Sequence, residues 1–312
     1  SLKMNPHILQ ISDNVSWIGV LDHDIVTFDI VMETKFGTTY NSYFINAGKK
    51  AVIDTVKERF WPEYKEKLLS LTDPKEIDYI VCNHTEPDHS GSLKHLLELA
   101  PQATVVGSGQ ALAYLAEMLC KPFQSLKVKD GELLDLGNMK LRVIGAPNLH
   151  WPDSIYTYLE EEALLFTCDS FGAHFAHEEM WDDRVGDYNE AFDYYFDVIL
   201  KPYSRFMLKA IDKIKSLPMD AICPGHGPIL RSGWKERIER SATRARAYLE
   251  ETENHNRVLL AYISAYGYTR SMAEQIREGL MKNDNLEVDM VDIENILLGE
   301  LEEHLVKADG IL

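Results

Sequence analysis

Between residues 251 and 256 the chain reads Glu251-Thr252-Glu253-Asn254-His255-Asn256, six polar residues with no apolar side chain among them. A packed unit needs periodic apolar positions, so a run of this kind marks a linker, and the hydrophobic pattern differs on its two sides. Downstream, a buried-type strand is predicted at 257–263, a turn at 264–269, a helix at 270–283 and a strand at 286–291. A helix at 293–305 and a third strand from 308 complete that stretch. This alternation builds a doubly wound parallel sheet, because each helix returns the chain to start the next strand in the same direction. The spacing therefore divides the chain into 1–253 and 254–312.

The upstream unit is richer in short β runs. Strands are predicted at 15–20, 26–31, 39–46, 51–54, 79–82 and 104–107, with helices at 58–71, 91–100 and 110–119. A second β stretch covers 132–136, 140–145, 154–159 and 163–168. A long helical pattern at 188–217 breaks at Pro202, which removes a backbone donor, and a strand at 221–223 and a helix at 234–252 follow. The reading is α/β, a sandwich with helical outer layers. With 32 Lys and Arg against 50 Asp and Glu, the net charge of −18 makes nucleic acid and acidic membranes poor partners. No apolar run approaches the length of a spanning helix, and no basic-then-apolar start suggests a secretory signal. Cys82, Cys120, Cys168 and Cys223 form no C-x-x-C pair, which is read as reduced, buried thiols in a cytoplasmic protein.

The segment richest in chemistry is Asn83-His84-Thr85-Glu86-Pro87-Asp88-His89-Ser90-Gly91-Ser92, directly after a predicted strand. Imidazole and carboxylate donors this close together suit first-row metals such as iron, zinc or manganese. Pro87 is expected to limit helix formation there. A polar strand-end loop with solvated charges is the plain alternative. Three further candidates sit at strand ends: His150 in Asn148-Leu149-His150-Trp151-Pro152-Asp153, Asp169 in Thr167-Cys168-Asp169-Ser170, and His226 in Pro224-Gly225-His226-Gly227. A carboxylate has two oxygens, so Asp169 is the natural residue to bridge two cations. Tyr194 and Tyr195 could approach the pocket, but on an apolar helix face they are read first as core residues; His23 could line the site as a proton donor, but is read first as a surface histidine.

The set His84-x-Glu86-x-Asp88-His89, His150, Asp169 and His226 resembles the metallo-β-lactamase fold, specifically its flavodiiron branch. Glu86 distinguishes that branch from hydrolases with a third histidine at this position; a carboxylate there favours iron over zinc. The resemblance implies an αββα sandwich in which His84, Glu86 and His150 hold one iron, and Asp88, His89 and His226 the second, with Asp169 bridging. The loop Ser264-Ala265-Tyr266-Gly267-Tyr268-Thr269 is similar to the FMN phosphate loop of flavodoxins, where hydroxyls and helix N-terminal N–H groups cradle an anion. A flavodoxin-like sheet has five strands. The 56 residues from 257 to 312 hold three and fall short of the roughly 100–150 of an ordinary domain. The flavodoxin-like part is therefore expected to be incomplete at its C-terminal side.

The activity implied by the resemblance is reduction of O2 to water, or of NO to N2O, at a non-haem diiron site reloaded through FMN. A rubredoxin-like or other reduced donor and a head-to-tail homodimer are the implied partners. Two other classes compete: a metal-dependent hydrolase that activates water, and a sensor or binding module built on a decayed site.

Overall fold

The computed structural model describes residues 7–28, 32–253 and 256–312. In chain order the early strands are β1 (Leu9–Gln10), β2 (Val15–Trp17), β3 (Val20–Asp22), β4 (Thr27–Phe28), β5 (Met32–Glu33), β6 (Thr38–Tyr40), β7 (Tyr43–Asn46) and β8 (Lys50–Ile53). Helix α1 (Trp61–Leu71) leads to β9 (Ile77–Val81), and the short α2 (Pro87–Ser90) and α3 (Leu93–Leu99) lead to β10 (Thr104–Gly107). Helix α4 (Gly109–Leu119) and β11 (Ser125–Lys127) complete a seven-stranded sheet in the order β1-β2-β7-β8-β9-β10-β11. A second sheet, β12-β13-β14-β15-β16, is built from Leu133–Asp135, Lys140–Gly145, Ile155–Leu159, Leu164–Cys168 and Ala221–Pro224.

Period-two alternation explains how the sheets stack. In β7, Tyr43 and Ile45 enter the core shared with Phe166, Leu164 and Val143 of the second sheet, while Phe44 faces Tyr64, Leu68 and Leu96 of the helical layer. The second sheet repeats this: Leu165 and Tyr156 turn outward to pack with Phe192, Phe196 and Met207. Helices thus cover both outer faces of a two-sheet sandwich. Interior strands such as β14 and β15 are buried at every position, because each face has its own apolar partner.

Several expected elements divide. The run 15–20 becomes β2 and β3, which pair with β7 and β6 respectively. The run 39–46 breaks at Asn41-Ser42, whose side chains are spent on cross-links elsewhere. Of the expected strand 26–31, residues 29–31 lie outside those described; β4 and β5 flank them as an antiparallel pair. The strand β11 is fully exposed and lacks an apolar signal. Pro87 opens α2 rather than barring it, since a proline at the first helical position loses no hydrogen bond. Cys82, Cys168 and Cys223 are buried, but Cys120 is exposed.

The long helical pattern becomes α5 (Asn189–Tyr195), a π turn at Phe196–Leu200, a 3-10 turn at Lys201–Tyr203 containing Pro202, and α6 (Ser204–Ile214). Helix α7 (Trp234–Glu253) clamps this region. Arg240 grips Asp193 with two bonds of 2.6 Å, and Arg244 reaches Asp197 at 2.7 Å.

The second unit is a parallel three-stranded sheet in the order β18-β17-β19, formed by β17 (Asn256–Tyr262), β18 (Leu286–Asp292) and β19 (Gly310–Ile311). Helices α8 (Tyr268–Leu280) and α9 (Leu298–Lys307) connect the strands. The expected linker residues 254 and 255 lie outside the described positions. Both helices differ from expectation at their starts: α8 begins two residues earlier, and α9 begins only after a turn at 293–297.

Candidate metal centre

Four chain segments leave strands at one rim of the sandwich. His84 and Glu86 follow β9, His150 follows β13, Asp169 follows β15 and His226 follows β16. Asn83 fixes the first exit. Its N–H donates to Asp54 at 2.8 Å and its side chain donates to Phe166 O at 3.2 Å, tying the two sheets together. Burial pushes the Asp54 carboxyl up to about 6, against the charge of His89 and the bond from Asn83. Cys168 has a φ of 49°, which bends the chain out of β15 before Asp169. Gly225 is required at the fourth exit: a Cβ there would lie 2.9 Å from His89 Cε1 and 3.1 Å from the Cys168 backbone.

The seven expected donors fall into two groups, and a third, overlapping group adds the buried Cys168 thiol to His89 and Asp169. The donor atoms of His84, Glu86, His150 and Asp169 lie within 4.8 Å of one another, and so do those of Asp88, His89 and His226. His84 Nε2 is 3.3 Å from Glu86 Oε2 and 3.3 Å from Asp169 Oδ2, and His150 Nε2 is 3.0 and 3.2 Å from the same oxygens. On the other side, His89 Nε2 is 2.9 Å from Asp169 Oδ1, and His226 Nε2 is 2.9 Å from Asp88 Oδ2 and 3.5 Å from Asp169 Oδ1. Asp169 therefore turns one oxygen to each group. First-row cations hold N and O donors at about 2.0–2.2 Å, which sets neighbouring donors about 3 Å apart. The observed separations fit that geometry.

Unsatisfied atoms point the same way. Both Asp88 oxygens and Asp169 Oδ2 are buried without a hydrogen bond, an arrangement that costs free energy unless a cation compensates it. Two of the imidazoles, His84 and His226, are oriented from behind, as metal-binding histidines are, whereas His89 Nδ1 has no such partner among the described residues. His84 Nδ1 donates to Asp153 Oδ1 at 3.0 Å, while Asp153 Oδ2 accepts from Thr85 N and Thr85 Oγ1 at 2.7 and 2.6 Å. His226 Nδ1 donates to Thr39 O at 2.6 Å. Asn41 Nδ2 holds the same loop through Pro224 O and Gly227 O at 2.9 and 3.0 Å.

Charge balance is consistent with a cation site. Burial lowers the pKa of His84, but its hydrogen bonds to Asp153 and Glu86 and the charge of Asp169 outweigh that, raising it to about 10. Burial is likewise outweighed at His150, raised to about 10 by Asp169 and Glu86, and at His89, raised to about 9 by Asp88 and Asp169. Burial opposes ionisation of Asp169 and Glu86 too, yet the surrounding histidines hold both well below the usual carboxylate range. Protons on the imidazoles thus balance the carboxylates where divalent charge would otherwise do so.

A cavity of 720 Å³ opens above these donors, with Trp151 and Tyr195 in its wall. Tyr195 is buried in the outer core, as expected for its helix face, and it also lines this cavity. Its hydroxyl is buried and faces Asp169, and burial together with the charge of Asp169 and a hydrogen bond to it pushes the phenol well above its ordinary range. Tyr194 beside it is exposed instead. The π turn begins immediately after Tyr195, and such turns cluster at functional sites. His23 is exposed and joins neither donor group. Asp153, Asn83, Asn41 and Thr39 also shape the site; Asp153 and Asn83 lay within motifs that pointed there, Asn41 and Thr39 did not.

The loop of the second unit is open. Gly267 has a φ of 84° and caps α8, and Arg270 N donates to Ser264 Oγ at 3.2 Å. Ala265, Tyr266, Tyr268 and Thr269 are exposed, so the free N–H groups of the first helical turn face outward.

Comparison with known proteins follows this geometry. The family model described as ODP family beta lactamase matches residues 38–227. Flavo-diiron protein FprA2 of Clostridium acetobutylicum is 38% identical over 97% of this chain and 77% of its own length. The putative diflavin flavoprotein A 1 of a Nostoc species is 37% identical over 99% of this chain, which spans only 53% of that relative. Among solved structures, rubredoxin oxygen:oxidoreductase of Desulfovibrio gigas superposes with a TM-score of 0.72 at 27% identity, covering 97% of this chain and 76% of that one. With a family model across more than half of its residues and a relative of this identity and coverage, the chain belongs to the flavo-diiron, or type A flavoprotein, family.

Proposed function

We propose that this chain is the catalytic portion of a flavo-diiron oxidoreductase that reduces O2 to water, NO to N2O, or both. In this reading His84, Glu86 and His150 hold one iron, Asp88, His89 and His226 hold the other, and Asp169 lies between them. When bound, the irons supply redox chemistry and open coordination positions, and FMN supplies electrons singly. The residues carry out the remaining work. Asp153 and Thr39 fix which imidazole nitrogen faces inward, and the buried sandwich keeps bulk water from the donors. Tyr195 lines the cavity with its hydroxyl next to Asp169, where it can hydrogen-bond a diatomic ligand and pass on a proton. Protons are needed in either reaction: O2 takes up four with four electrons to give two waters, and two NO take up two with two electrons to give N2O and one water.

The observation that carries the reading is Asp169 with one oxygen toward each donor group, and Glu86 completing the first group with a carboxylate. The loop 264–269 with the N-terminus of α8 would take the FMN phosphate. A rubredoxin-like or other reduced donor, a head-to-tail homodimer and a cytoplasmic setting belong to the same reading. No described helix is long and apolar enough to cross a membrane. Stopped-flow mixing of the anaerobically iron- and FMN-loaded protein, kept with an excess of a reduced electron donor, with O2 or NO tests it: multiple turnovers of either gas at the expense of that donor are expected. Zinc in the site with turnover of an ester or lactam would replace it by a hydrolase. Tyr195→Phe should lower kcat by about 10²-fold, the lower end for loss of a proton donor, with iron content unchanged.

A further inference from the structure

The cavity above the donors runs outward to α9 of the second unit; its floor holds the imidazoles of His150 and His226 as well as carboxylates, whereas the charges at the α9 rim are of one sign. Its wall carries four carboxylates, Glu86 and Asp169 at the floor and Glu302 and Glu303 at α9, with no lysine or arginine. The floor pair belongs to the donor groups. The α9 pair does not: both residues are exposed, Glu302 joins no ion pair among the described residues, and Glu303 pairs with Lys307 at 3.9 Å on the side where Lys201 and Arg257 line a neighbouring pocket. Between floor and rim the wall is apolar, with Val198 and Ile199 on one side and Leu305 and Val306 on the other. Low-dielectric walls focus the field of charges at a rim instead of letting water screen it, and the chain's net charge of −18 has the same sign.

We propose that Glu302 and Glu303 act as a charge gate, letting neutral diatomic molecules pass along the apolar wall while repelling small anions that would otherwise occupy the metal positions. This assigns a specificity role to the second unit apart from its loop. It rests on the pocket being the site of a neutral substrate, but the gate can be measured without iron, flavin or turnover.

Trp151 lines the same cavity and reports access by fluorescence quenching. The full metal-free chain would be titrated with iodide, caesium and acrylamide at constant low ionic strength. The Trp151 component is isolated by difference from Trp151→Phe, with the rim glutamates varied identically in both backgrounds. Changing Glu302→Gln and Glu303→Gln together, isosteric changes at exposed positions, should raise the iodide quenching constant about threefold where the Debye length exceeds about 10 Å. The caesium constant should fall, and the acrylamide constant should stay the same. An unchanged iodide constant, or a parallel rise for all three quenchers, overturns the proposal; the parallel rise would mean that α9 is only a steric wall. A charge-selective response in a protein whose iron-loaded form reduces neither gas would leave the gate standing and remove the functional reading instead.

Discussion

The two units present their chemistry in opposite ways. In the sandwich, seven donors are gathered at the ends of four strands, most of them buried and several backed by a hydrogen bond that fixes the inward-facing atom. In the second unit the loop 264–269 is exposed, with Tyr266 and Tyr268 at 88% and 83% accessibility, and its core is small. The sandwich has already met the cost of placing like charges together, so a metal enters a formed site. The loop has its helix N-terminus and its glycine in place, but a ligand must still order the side chains around it.

Substitutions can break this contrast. The largest effect is expected for Asp169→Ala, which removes an oxygen from each donor group. Metal content should fall at both positions and turnover by about 10³-fold or more, measured by metal analysis and gas consumption; retention of a full metal pair would separate Asp169 from the centre. Asp153→Asn should be milder. It leaves every donor in place but weakens the hold on His84 and Thr85, and metal affinity should fall about 10- to 100-fold in a competition titration with a chelating dye.

The pH dependence sharpens the same point. His84, His89 and His150 are raised to about 10, 9 and 10, so at neutral pH the metal-free site holds them protonated, and metal must displace those protons. Affinity should therefore increase as pH rises from the ordinary imidazole value near 6.5 toward 9. Calorimetry in buffers of different ionisation enthalpy should find proton release on binding; no release would contradict the charge balance. The smallest effect belongs to the second unit. Gly267→Ala forces a side chain onto a φ of 84° at about 1–2 kcal/mol, and should weaken binding of FMN severalfold without changing metal content. A loss of metal in that variant would mean that the two units are not independent in this respect.

What the sequence revealed follows from the same contrast. The donors were legible because four stand within six residues after a strand and the others end strands, and few bland roles demand that pattern. The second unit was legible because its apolar runs alternate with helical spacing. The place of Tyr195 at the cavity was not settled, since helical periodicity marks a buried face without saying whether it borders packed side chains or a cavity. Nor was the π turn after it, which one inserted residue creates with no compositional signal. Pro87 misled because its effect depends on position: at the first residue of α2 it supports a turn that presents Asp88 and His89. The role of α9 at the pocket rim depends on packing between the two units, which local sequence does not encode.

The central claim is that this chain builds one two-metal centre, with Asp169 between the ions. Mössbauer spectroscopy of the protein loaded anaerobically with ⁵⁷Fe and then oxidised tests it most directly. An exchange-coupled iron pair that is lost in Asp169→Ala is the predicted result. Iron present only as isolated, uncoupled ions in the parent protein would contradict it.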